Sequence, residues 1–150
     1  SYVEDCTIET DQVALPDSYI DVQAEKMRIY KELDSLDKDS ELDKMAARLA
    51  DRFGPIPDEV ARLFDIVRIR HLGEKLGFEK IIIKNGILIA FFINNQMAAY
   101  YKSGVFTKIL EKVSEYSRLF ELKQNDSKLR IISRKVNTLS DAYNILCKLR

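Results

Sequence analysis

The stretch FEKIIIKNGILIAFFIN (Phe78–Asn94) decides the fold class, because the hydrophobic period changes there. Two apolar, β-branched runs flank Asn85-Gly86. An Asn-Gly pair between such runs is the strongest short-range hairpin signal, since both loop positions need positive φ. The runs are apolar at successive residues, so the hairpin is expected to be covered on both faces. Gly77 stands just before it and closes a pattern of helical period.

Upstream of Gly77 the period is helical almost throughout. Val60, Leu63, Phe64 and Val67 make one stripe from about Pro57 to Leu76, and Ile66, Ile69 and Leu76 widen the apolar arc. A helix apolar over so much of its circumference is expected at the centre of the fold. His71, the one histidine, follows Val67 by one turn and is expected to pack in the core rather than bind a ligand. Before this helix comes LADRFGPIPDEV (Leu49–Val60), a stop and restart. Gly54 can take the left-handed conformation that ends a helix, and Pro55 and Pro57 cannot continue one, though Pro57 suits a first turn. Leu42, Met45, Ala46, Leu49 and Phe53 form the stripe of the helix that ends there, with Asp39 or Ser40 as its candidate N-cap. Asp51 falls almost opposite that stripe, flanked by Lys44 and Arg48, and Arg52 lies at its margin. A first helix over about Asp21–Leu36 carries Val22, Ile29, Leu33 and Leu36. Residues 2–9 look extended, and ALPDSYI (Ala14–Ile20) punctuates.

Downstream, residues 103–117 return to helix through Val105, Ile109, Leu110, Val113 and Tyr116. LFELKQNDSKLRIIS (Leu119–Ser133) reads as a second hairpin turning near Asn125-Asp126. Thr138–Leu149 closes the chain as a helix, with Thr138 and Asp141 in capping-box spacing. The order predicts an α+β fold: a helical N-terminal half, then hairpin, helix, hairpin, helix, with a small, mainly antiparallel sheet packed on helices. Residues 1–14 are expected to be an extended leading segment, its sheet partners upstream, and residues 15–150 a single domain. Ser1, with no initiator Met, is expected to mark a boundary inside a longer polypeptide.

With 46% hydrophobic and 32% charged residues the chain is a soluble globular type, and it holds no apolar run of membrane-spanning length. Nothing resembles a secretory leader, so a cytoplasmic location is expected. Cys6 and Cys147 sit far apart with no metal-ligand spacing, so two buried or idle thiols are expected, with no metal and no cofactor. Phosphate-cradle motifs and GxSxG are absent, so no catalytic residue is assigned. The net charge is zero, yet residues 1–60 carry 16 acidic and 7 basic side chains. That asymmetry fits two halves folding on each other, an acidic face for a protein, or a basic face for nucleic acid. For nucleic acid the candidates are Lys123, Lys128, Arg130, Arg134 and Lys135 on the second hairpin, with Tyr100 and Tyr101 as stacking rings. Direct DNA binding by this basic half is the alternative to protein binding.

LPDSYI, then YKEL (Tyr30–Leu33), then LADRFGPIPDEV, then IRHLGEKLG (Ile69–Gly77), in this order and spacing, resemble the C-terminal domain of the bacterial transcription-repair coupling factors (Mfd) from about Leu15 to Ile82. The resemblance implies a noncatalytic, autoinhibitory C-terminal domain of a multidomain, ATP-driven DNA translocase. Such a translocase displaces stalled RNA polymerase and recruits nucleotide excision repair. The domain would dock on the UvrB-like N-terminal module of its own polypeptide and mask the surface that binds UvrA. ATP and DNA would be handled by other domains, RNA polymerase would be an indirect partner, and no membrane would be involved. The interdomain residues that carry over are Asp51 and Arg52. Arg48 occupies a position that is acidic in some members, which reverses the charge offered to the partner.

Overall fold

The computed structural model describes residues 3–11, 13–93, 98–126 and 128–150. Tyr2 and Asn94, both assigned to extended segments from sequence, lie outside that set. The elements run β1 (Thr7–Thr10), α1 (Gln23–Ser35), α2 (Asp39–Phe53), α3 (Asp58–Leu76), β2 (Phe78–Lys84), β3 (Ile87–Phe92), α4 (Ala98–Tyr101), α5 (Gly104–Glu115), β4 (Glu121–Asn125), β5 (Lys128–Ser133) and α6 (Leu139–Cys147). The fold is α+β, and its sheet is mixed, in the order β1-β2-β3-β5-β4.

The Asn-Gly hairpin forms as its chemistry demands. Asn85 and Gly86 have φ of 54° and 77°, and Lys84 pairs with Ile87 across them. Asn125 pairs with Lys128 in the second hairpin, with Asp126 at φ 57°. Thr138 caps α6 by accepting from the Asp141 amide at 3.0 Å. Gly77 closes α3 in the left-handed conformation, and a Cβ there would come within 2.1 Å of the Tyr100 ring.

Several expectations are corrected. β1 finds its partner within the chain, running parallel to β2 with Ile8 opposite Ile81. The hairpin is not covered on both faces. Ile81, Ile83, Leu88 and Ala90 are buried, whereas Ile82, Ile89 and Phe91, which alternate with them, stay partly exposed. Lys80 and Lys128 lay their stems toward Phe91, with their ammonium groups 5.8 and 5.9 Å from its ring centre. Long cationic side chains can shield an apolar strand face in this way without a second layer of helices. Val22 is the N-cap of α1 and 54% exposed rather than part of its stripe. Lys38, not Asp39 or Ser40, is the N-cap of α2, because the Asp39 carboxylate is engaged by His71 instead. Gly54 ends α2 at φ 94° and ψ −175°, a region open to glycine, rather than in the left-handed well.

The apolar side chains gather into two clusters. One joins Leu15 and Ile20 to α1, α2 and the first half of α3 through Leu42, Met45, Phe64 and Val67. The other joins the sheet to α5, α6 and the second half of α3 through Ile69, Leu72, Leu76, Ile81 and Leu146. α3 belongs to both, which explains why its apolar residues surround its circumference.

Candidate functional site

The corner at Gly54 is held by hydrogen bonds from residues distant in sequence. Tyr19 donates its hydroxyl to the carbonyls of Leu49 at 3.2 Å and Gly54 at 2.9 Å, satisfying acceptors that a helix end leaves free. Its ring packs on Phe53, with centroids 5.8 Å apart. Burial raises the Tyr19 phenol above its usual range, which favours the neutral, donating form. Tyr30 of α1 fixes the same loop by accepting from the Leu15 amide at 2.7 Å. Arg70 donates to the Leu33 carbonyl at 3.3 Å, and buried His71 donates from Nε2 to the Leu36 carbonyl at 2.7 Å, with Nδ1 2.8 Å from Asp39 Oδ1. Tyr19 and Tyr30 thereby tie the stretch over 15–20 to the end of α2 and to α1, while Arg70 and His71, in the second half of α3, tie that helix to the end of α1 and the start of α2.

On the outer side of α2, Arg48 pairs with Glu32 and Arg52 pairs with Glu25, both acids belonging to α1. Arg28 pairs with the same Glu25 at 2.9 Å. The Arg52 guanidinium also lies 5.0 Å from the Phe53 ring centre. Beneath the charges Ile29, Met45 and Leu49 form the floor of a shallow cleft of about 340 Å³. Asp51, one residue from Arg52, is exposed and makes no ion pair among the described residues. The structure therefore brings Arg48 and Arg52 into one charged ladder with α1 and leaves Asp51 beside it, open to solvent.

Glu25 and Glu32 were missed from sequence. Their signal was present, since two acids seven apart on α1 stand opposite two arginines four apart on α2. Recognising it required knowing that the two helices run antiparallel in this register.

The nucleic-acid candidates fare differently. Tyr100 is fully buried, donates to the Leu76 carbonyl at 2.5 Å and offers no face for a base. Tyr101 donates to the Ile93 carbonyl at 2.6 Å and packs edge-on against Tyr100 and Phe106. Arg134 is held by Glu121 at 2.9 Å, and Lys128 lies 3.9 Å from Glu79. Lys123, Arg130 and Lys135 carry no such pair among the described residues. Among the described residues no group of three His, Cys, Asp or Glu side chains is arranged to hold a metal ion. No helix among them is long and apolar enough to cross a membrane.

Comparison with known proteins gives concordant results. The sequence model of the TRCF domain matches residues 11–103. A transcription-repair-coupling factor of Rickettsia bellii is 34% identical over 140 residues, covering 91% of this chain and 12% of that protein. One from Escherichia coli K12 is 31% identical over 124 residues, covering 78% and 10% respectively. The chain thus spans about an eighth of the length of the curated relatives it matches. A crystal structure of the C-terminal domain of a transcription-repair coupling factor superposes with a TM-score of 0.78 at 20% identity, over 97% of this chain and 89% of that one.

Proposed function

The chain belongs to the TRCF domain family and has the fold of the C-terminal domain of a transcription-repair coupling factor, and from that premise we propose that it is a noncatalytic, autoinhibitory module. In this reading the parent polypeptide is an ATP-dependent DNA translocase of nucleotide excision repair, working in the cytoplasm. The regulatory domain includes β1, which pairs with β2, together with the elements that follow it. The outer face of α2, through Asp51, Arg52 and Arg48, docks on the UvrB-like module of the same polypeptide and covers the surface that would recruit UvrA. RNA polymerase acts indirectly, by freeing that surface.

The observation that carries the proposal is the state of Asp51. The neighbouring arginines are held by Glu25 and Glu32, while Asp51 stands exposed without a counter-charge on a helix whose end is locked by Tyr19. A rigid, half-satisfied charge array loses little entropy on docking and asks for a basic group opposite Asp51. Each exposed pair contributes at most about 1 kcal/mol, so the contact is weak when the two modules are separate. Tethering in one polypeptide supplies the effective concentration that closes it, and a weak contact can open again.

Titration of the purified chain into the isolated UvrB-like module tests this by calorimetry. Asp51→Ala is expected to weaken binding by up to about fivefold, and Asp51→Arg by more. Arg52→Ala should weaken it too, though partly by loosening α1 from α2. Equal affinity for wild type, Asp51→Arg and Arg52→Ala would place the contact elsewhere.

A further inference from the structure

A second concave surface lies at the far end of α3 from the Gly54 corner, about 27 Å along the helix axis. The last turn of α3 supplies Leu72, Lys75 and Leu76 to it, the first turn of α5 supplies Gly104, Val105 and Lys108, and the chain end after α6 supplies Leu149 and Arg150. The cleft holds about 370 Å³. Its floor is aliphatic, since Leu72, Leu76 and Leu149 are buried and Val105 is partly so. The charged side chains at its rim are all cationic. Lys75, Lys108 and Arg150 are exposed, none makes an ion pair among the described residues, and no acidic side chain lines the cleft.

Some exposed cations of the molecule have taken counter-charges, as Arg48, Arg52 and Arg134 have, and others, such as Lys123 and Lys135, carry none among the described residues. At this cleft three cations converge on apolar ground with their charges unanswered. The start of α5 adds to the effect. Ser103 accepts from the Phe106 amide, and the amides of Gly104 and Val105 precede the first intrahelical bond, so the positive end of that helix forms part of the wall.

We propose that this cleft docks an acidic peptide segment of a partner protein, with one bulky aliphatic or aromatic side chain seated against Val105 and the edges of Leu72 and Leu76, and flanking carboxylates met by Lys75, Lys108 and Arg150. Nucleic acid suits the cleft less well. Its lining holds no aromatic ring on which a base could stack, and an aliphatic floor offers a phosphate chain nothing. The volume accommodates one or two side chains, at the small end of known ligand cavities.

The test is fluorescence anisotropy of the chain with four labelled probes. These are an acidic peptide with a central Phe, the same peptide with Ala for Phe, its Lys-for-Glu counterpart, and a single-stranded oligonucleotide. Two variants accompany it. K75E/K108E reverses the rim on exposed positions, and Gly104→Leu adds bulk at a lining position where a Cβ meets nothing within 4 Å and φ is ordinary. The Phe-bearing acidic peptide should bind, and its affinity should fall by about tenfold in K75E/K108E and by a similar factor in Gly104→Leu or on removing the Phe. The proposal is overturned if no peptide binds, if both variants bind the acidic peptide as wild type does, or if the oligonucleotide competes through the same lysines with higher affinity.

Discussion

Cys6 sits against Gly73 of α3, where an added Cβ would come within 2.6 Å of its sulfur, and only 1% of its surface is exposed. Burial pushes its thiol from 9.0 up to about 12, with the charges of Glu74 and Asp5 adding to the effect. The unfolded chain releases this proton near the ordinary value and the folded chain retains it. The associated stability is therefore complete below about pH 9 and is lost as pH rises toward 12. Wild type should lose up to about 1.4 kcal/mol per pH unit more than Cys6→Ala across that window, measured by urea titrations at stepped pH. Parallel pH dependences would show that the thiol ionises freely in the fold. From sequence Cys6 was legible only as a buried or idle thiol. Its placement beside Gly73 depends on a contact between residues 67 positions apart, which no local pattern encodes. His71 was better marked, because its spacing from Val67 put it on a buried stripe, yet its bond to Asp39 removed the expected cap from α2.

At the scale of elements, the cleft between α1 and α2 contains both kinds of interaction in one place. Its charged ladder joins exposed arginines to less exposed acids, and in the Arg48–Glu32 pair the two side chains are 63% and 35% accessible, which leaves that pair open to solvent screening. Such pairs contribute at most about 1 kcal/mol, whereas shortening a buried aliphatic side chain costs about 2–5 kcal/mol. Glu32→Gln should therefore lower the urea midpoint only slightly, and Leu49→Ala, directly beneath, should lower it severalfold more. Comparable losses would mean that the ladder, not the apolar floor, holds the two helices together. The helices themselves were legible wherever the apolar stripe was narrow, as in α2, and both hairpins were marked by their turn residues. What the pattern could not distinguish was a strand buried on both faces from one shielded by its neighbours' side chains. Ile82, Ile89 and Phe91 are apolar in either case, and the difference lies in where Lys80 and Lys128 direct their stems.

The molecule as a whole depends on α3, which among the described residues is the one helix shared by both apolar clusters. Val67 belongs to one and Ile69 to the other, so the boundary passes through a continuous run of helical hydrogen bonds. Neither cluster can lose its half of α3 without fraying the half that serves the other, and folding should be cooperative across the two. Leu42 and Cys6 allow this to be measured, because each is buried in a different cluster. Leu42→Ala is expected to cost about 2–5 kcal/mol in the helical cluster. The alkylation of Cys6 at pH 8, where the folded thiol stays protonated and covered, reports opening of the other. With Cys147→Ser removing the second thiol, the urea midpoint for Cys6 labelling should shift down by the same amount as the midpoint for loss of helical circular dichroism. If Leu42→Ala leaves the Cys6 labelling curve where it was, the clusters unfold separately and α3 is a linker rather than a shared spine. Rigid coupling along α3 would also bear on function, since strain at the Gly54 corner would then reach the cationic cleft at the other end of the same helix.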